Sequence, residues 1–193
     1  MLRLFLNTSN KYLYICLMDG LVISDEVLLE GNNNHSEKLI DVLKEFLEKN
    51  DLTVDNIDEI YVGKGPGSYT GVRIACTVAK VMAYAKGKKL YSFSSLDLLL
   101  SNKLNKPGTY RVVMDARRGN SFAKVVKVNA NSIEVLFDEA FVENSVLEEK
   151  FSDYPVIDVE DTYYRVDLLL RFNLVKEEKD IHAFVPTYLR SGV

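Results

Sequence analysis

Residues 60–85 place the tightest constraint on the fold: a strand, a glycine-rich turn and a helix in immediate succession. Ile60-Tyr61-Val62 is β-branched and aromatic, as strands favour. Gly63, Gly65, Gly67 and Gly71, with Pro66, let the backbone turn sharply and come close to another element. From about Thr70 to Ala85, Val72, Ile74, Ala75, Cys76, Val78, Ala79, Val81, Met82 and Ala83 surround most of a helical circumference. Arg73, Thr77, Lys80 and Tyr84 leave only a narrow polar stripe. A helix apolar nearly all round is buried on more than one side. One side belongs to the chain's own sheet, and the other is available to a second protein.

The flanking residues supply that sheet. Leu2 to Asn7, Lys11 to Met18 and Leu21 to Glu30 read as strands, the last two joined by the hairpin signal Asp19-Gly20. After a loop at Gly31-Asn32-Asn33-Asn34, His35-Ser36 opens a helix to about Lys49. Leu39, Ile40, Val42, Leu43, Phe46 and Leu47 cover a wide arc of it. Ile57 to Gly63 follows a helical crossover and so runs parallel to the first strand. Leu90 to Ser92 is a further strand, and Leu96 to about Leu104 a short helix.

Pro107-Gly108 marks the clearest break, dividing the chain into subdomains 1–105 and 106–193. In the second, strands at Tyr110 to Asp115, Ser121 to Val128 and Ile133 to Ala140 repeat the meander. A helix (Asn144 to Phe151), a strand (Pro155 to Val159) and another helix (Tyr163 to Phe172) follow. Strand-strand-strand, helix, strand, helix thus occurs twice, without any repeat at the level of sequence.

Several kinds of chemistry are poorly supported. The glycine turn lacks the Gly-Lys-Ser/Thr ending of a P-loop and misses the dinucleotide spacing, since Gly65-x-Gly67 is followed by glycine only at Gly71. Anion binding at the helix start and a purely structural turn both remain open. The histidines, His35 and His182, stand alone, without a second ligand at metal spacing. Ser36, Ser68 and Ser94 lie outside any nucleophile elbow. Asp115-Ala116-Arg117-Arg118-Gly119 is the one charged turn suited to a site. An aspartate ending a strand, followed by arginines, fits phosphate or a partner's carboxylates, whereas a solvated hairpin is the plainer reading. Twenty-four basic against 28 acidic residues, a formal charge of −4, argue against a chain that grips nucleic acid alone. Cys16 and Cys76 lie in apolar segments and read as thiols of a reducing compartment. With no signal peptide and no apolar run of membrane length, a cytoplasmic protein is expected.

Gly65-Pro66-Gly67-Ser68-Tyr69-Thr70-Gly71-Val72-Arg73-Ile74, with Asp115-Ala116-Arg117-Arg118-Gly119, His35-Ser36-Glu37 and Pro186-Thr187-Tyr188-Leu189-Arg190, resembles the bacterial TsaB (YeaZ) family. The resemblance implies a duplicated actin/Hsp70-like α/β fold (ASKHA, ribonuclease H-like) with a reduced second half. It also implies a non-catalytic subunit that pairs with TsaD to make threonylcarbamoyladenosine on tRNAs reading ANN codons. The ATPase TsaE joins in a larger complex, the chain can form a homodimer when alone, and tRNA is met indirectly. Pairing would use the first two helices, here Leu39, Val42, Leu43, Phe46, Ile74, Val78, Val81 and Met82. No metal and no cofactor of its own are implied beyond a weak ATP or ADP contact at the complex interface, through Asp115, Arg117, Arg118 or Gly119. Asn7 stands where nucleotide-binding relatives of the fold carry an aspartate. The alternative is an ATP-dependent small-molecule kinase of the same fold, with Asp115 as metal-organising residue or base.

Overall fold

The computed structural model describes residues 1–31, 38–161 and 163–189. His35, Ser36, Glu37 and Arg190 lie outside them, as does the expected start of the first helix. Strands β1 (Leu2–Asn7), β2 (Tyr12–Asp19) and β3 (Val22–Glu30) form an antiparallel meander. Helix α1 (Leu39–Lys49) leads to β4 (Glu59–Gly63), then come α2 (Tyr69–Lys86) and β5 (Lys89–Phe93). β4 lies parallel to β1, and β5 parallel to β4. All five residues of β4 are buried, as befits a central strand covered on both faces.

Helix α3 (Ser95–Leu100) ends this half. β6 (Gly108–Asp115), β7 (Asn120–Val128) and β8 (Ile133–Glu143) form the second meander. After α4 (Asn144–Phe151), β9 (Val156–Ile157) pairs parallel to β6, and α5 (Val166–Arg171) follows. The order β5-β4-β1-β2-β3 in one sheet is therefore echoed by β9-β6-β7-β8 in the other. This is the duplicated α/β plan, with the second copy reduced: β9 has two residues where β4 has five.

Alternation along β1 and β2 divides the core. Leu4, Leu6, Leu13, Ile15 and Leu17 face α1 and α2 in one apolar cluster. Phe5, Tyr14, Cys16 and Met18 belong to a second cluster that continues through the α3 leucines to Val112, Met114 and Val126 of the other sheet and Leu168 and Leu169 of α5. The two halves share this core, so the division proposed at residue 106 is one of topology.

Past Arg171 the chain leaves the second sheet. β10 (Val175–Glu177) pairs antiparallel with β5 at the edge of the first sheet. The tail then runs back over α2, where Lys80 Nζ donates to the carbonyls of His182 and Phe184 at 2.7 and 3.1 Å. Phe184 is buried in the α1–α2 cluster. Part of the apolar excess on α2 that the sequence offers to a second protein is thus covered by the chain's own end.

Candidate functional site

The glycine turn is clamped from four directions. Ser68 N donates to the Ser9 carbonyl at 2.6 Å, and Thr8 Oγ1 donates to the Gly71 carbonyl at 2.7 Å. Lys64 N donates to Phe93 O, Ser95 N to Gly65 O and Thr187 N to Lys64 O. The Gly65–Pro66 peptide is cis, and Gly65 sits at φ +108. A Cβ at Gly67 would collide with the Ser9 carbonyl, at Gly71 with the Thr8 carbonyl and at Gly63 with Asn7 Oδ1. One at Gly65 would come within 2.6 Å of Thr187 O. Each glycine is therefore a point of close backbone approach. Ser68 caps α2, its Oγ accepting from Gly71 N at 3.3 Å. Pro66 is buried, whereas Tyr69, Thr70 and Arg73 lie exposed around the start of the helix.

This packing is unfavourable to a phosphate at the start of α2. The space beside the α2 N-terminus is taken by two carbonyl oxygens, of Thr8 and Ser9, which repel an anion. Asn7, buried with both amide atoms free of hydrogen bonds, is neutral where a carboxylate would be needed to organise a metal. Asp115 Oδ1 accepts from Arg117 N at 2.9 Å and so serves its own turn. The residues present do not fit an ATP site of the kind the kinase alternative requires. Among the described residues no group of three or more His, Cys, Asp or Glu is placed to hold a metal.

The α1–α2 surface divides the eight residues expected at a partner interface. Leu39, Leu43 and Phe46 are buried in the chain's own core, facing the first sheet at i, i+4 and i+7. Val42, Ile74, Val78 and Met82 are half-buried and pack against the same cluster. Val81 alone is largely free, at 58% exposure. Two further apolar or aromatic residues of these helices are exposed: Ile40 of α1 and Tyr84 of α2, both at 63%. By sequence Ile40 belongs to the apolar arc of α1, and Tyr84 to the polar stripe of α2. Arc width alone does not say which edge of an arc meets the sheet.

The tail extends this surface. Tyr84 meets the His182 ring edge-on at 4.7 Å, and the rings of Tyr69 and Tyr188 lie 5.2 Å apart. Arg73 caps that pair, donating to Tyr69 Oη at 2.8 Å with its guanidinium 5.1 Å from the ring. The two ring pairs join residues more than 90 apart in the chain, so nothing in the local sequence signals them.

On the β6–β7 hairpin, Arg117, Arg118 and Gly119 take φ of +67, +54 and +73 in succession. For a residue with a Cβ the left-handed region costs about 1–2 kcal/mol. Asp115, Arg117, Arg118 and Gly119 are all exposed, far along the chain from the glycine turn.

Among the described residues, the buried charges Lys124, Asp97 and Glu59 sit in pairs within the chain. Lys124 on β7 meets Asp97 of α3 at 2.5 Å and Glu139 of β8 at 3.2 Å, tying the two halves together. Burial pushes the Asp97 carboxyl up, against the pull of Lys124. Burial would also raise Glu59, but hydrogen bonds from Tyr61 and Arg3 hold it below its ordinary value. Cys16 and Cys76 are free thiols, pushed up to about 12 by burial. No helix among the described residues is long and apolar enough to cross a membrane.

Comparison with known proteins adds an independent line. Residues 29–189 match the family model described as TsaD, tRNA N6-adenosine threonylcarbamoyltransferase. A Bacillus subtilis protein, tRNA threonylcarbamoyladenosine biosynthesis protein TsaB, is 30% identical over 97% of this chain and 93% of its own length. The Escherichia coli protein of the same name is 27% identical over 51% of this chain and 44% of its own. Among solved structures, YeaZ from Pseudomonas aeruginosa superposes with a TM-score of 0.75 at 18% identity, over 97% of this chain and 99% of its own. That last likeness speaks for the fold.

Proposed function

The chain belongs to the TsaB family of tRNA threonylcarbamoyladenosine biosynthesis proteins, and from that premise we propose that it is a non-catalytic subunit pairing with TsaD. TsaD carries out threonylcarbamoyl transfer to the adenosine of ANN-decoding tRNAs, and this chain supports it. The observation that supports the reading is apolar exposure on both helices: Ile40 of α1 and Val81 of α2 are largely open to solvent, and Val42, Val78 and Met82 are half-buried. Isolated exposed apolar residues are ordinary, but apolar exposure recurring on both helices suits a partner with helices of its own.

The non-catalytic part of the reading rests on commitments already made within the chain. The Thr8 and Ser9 carbonyls occupy the helix start, and Asp115 caps its own turn. In this reading the chain works in the cytoplasm, TsaE joins the pair in a larger assembly, tRNA reaches the chain through TsaD, and the same helices form a homodimer when TsaD is absent.

Val81→Glu tests it. The position is exposed, so the fold is retained, while a carboxylate enters an apolar contact. Affinity for TsaD falls by about tenfold or more if the surface pairs. Light scattering on the mixed proteins, with circular dichroism of the variant, reads the result. Wild-type affinity in a folded variant would remove this surface from the interface.

A further inference from the structure

We propose that the chain's tail is part of the pairing surface: residues 182–188, laid along α2, form with it one cationic, aromatic strip that takes an acidic face of TsaD. The proposal rests on the subunit reading above and adds a non-helical element to the surface that reading assigns.

The first support is the path of the tail. At about 100° per residue, Tyr69, Arg73, Thr77 and Tyr84 fall within about 80° of one another around α2, and all four are exposed. The tail runs beside this face, antiparallel to the helix, for about 22 Å at about 1.5 Å per residue. His182 meets Tyr84 in the last turn, Lys80 Nζ holds the carbonyls of His182 and Phe184, and Tyr188 meets Tyr69 in the first turn. Phe184 is the buried anchor of this seam. The groups around it stay in water: Tyr69 is 60% exposed, Tyr84 63%, Val185 66% and Tyr188 49%. Rings pinned by one another yet open to solvent give contact area at little cost in side-chain entropy.

The second support is charge. The chain carries −4 overall, yet the 18 residues of α2 include Arg73, Lys80 and Lys86 and no acid, and residues 181–189 hold no acid either. Arg73 spends one bond on Tyr69 Oη, and among the described residues its other N–H groups have no acceptor. An open guanidinium fork suits a carboxylate, and tyrosine and arginine are the side chains that most often dominate an interface. A second copy of the chain would set this cationic strip against itself, so the charge favours TsaD over self-pairing. Lys80 Nζ is already engaged by two carbonyls. One open guanidinium is too little cation to hold an RNA backbone, whose affinity needs several phosphate contacts.

Arg73→Glu and the tail variant His182→Ala/Tyr188→Ala, each titrated with TsaD by calorimetry beside Val81→Glu, form the test. Both keep Lys80 and Phe184, so the tail stays seated, and circular dichroism and thermal unfolding are expected to match wild type. Each weakens TsaD binding by about tenfold or more, and Arg73→Glu also flattens its dependence on salt. Wild-type affinity in both folded variants, with Val81→Glu weakened, overturns the strip and keeps the subunit reading. Unchanged TsaD binding with loss of self-association, or of binding to an unmodified tRNA transcript, gives the strip to a second copy or to RNA and overturns the proposal. A wild-type chain that does not bind TsaD overturns the subunit reading, and this proposal with it.

Discussion

Gly71→Ala sets two effects of known sign against each other. Gly71 is the third residue of α2, and replacing glycine by alanine inside a helix gains about 1 kcal/mol from propensity. Against this, the new Cβ would overlap the Thr8 carbonyl oxygen and lie 3.1 Å from the Thr8 carbonyl carbon. Thr8 has little room to yield: it is fully buried, Asn7 before it is paired to Tyr14, and Ser9 after it accepts from Ser68 N. The start of α2 must back away instead. That movement breaks the Thr8 Oγ1 bond to Gly71 O and the Ser68 bond to Ser9 O, each worth about 1 kcal/mol. Overpacking adds about 1–3 kcal/mol. The balance is a loss of about 2–4 kcal/mol. For a chain of this size that lowers the unfolding temperature by roughly 4–16 °C. Thermal and urea unfolding measure it directly. A Gly71→Ala protein as stable as wild type would mean that propensity wins and that the carbonyl contact does not hold the helix.

Two further outcomes follow from the buried charges. Asp97→Ala leaves Lys124 buried with only Glu139 for a partner and should cost about 3–5 kcal/mol, whereas Asp97→Ala with Lys124→Met should recover most of it; urea midpoints of the two variants showing equal loss would refute the pairing. Glu59 is held below its ordinary value of 4.5, so the stability it contributes is present above that pH and fades as pH falls through its lowered folded value. Glu59→Gln should flatten the acid limb of a pH–stability curve, and an unchanged limb would show that its bonds to Arg3 and Tyr61 do not matter.

Much of the fold was legible because it is written in local signals. The apolar runs of β1 and β2, Asp19-Gly20 at the first hairpin and the apolar periods of α1 and α2 each specify their element within a few residues. The tail was not legible. The three residues of β10 form a strand only because β5 offers an edge, and Phe184 is a core residue only because α1 and α2 leave a gap for it. The same limit applies to the candidate surfaces. The sequence names the two helices but does not say that Leu39, Leu43 and Phe46 turn inward while Ile40, Val81 and Tyr84 turn outward. The left-handed arginines of the β6–β7 tip carry no local sign either, since their residue type disfavours the conformation and the surrounding hydrogen bonds impose it.

The apolar core that runs unbroken from Phe5 through α3 to Val112 has a mechanical consequence. Two-lobed folds of this plan can work as jaws, rocking open and shut about a hinge. Here a gape would bring Leu96, Leu98, Leu99 and Leu100, all fully buried, into water. At about 1.5–3 kcal/mol for each side chain, that alone approaches the whole stability of an ordinary domain. The lobes are in effect welded together, and the molecule is a stiff body of fixed length.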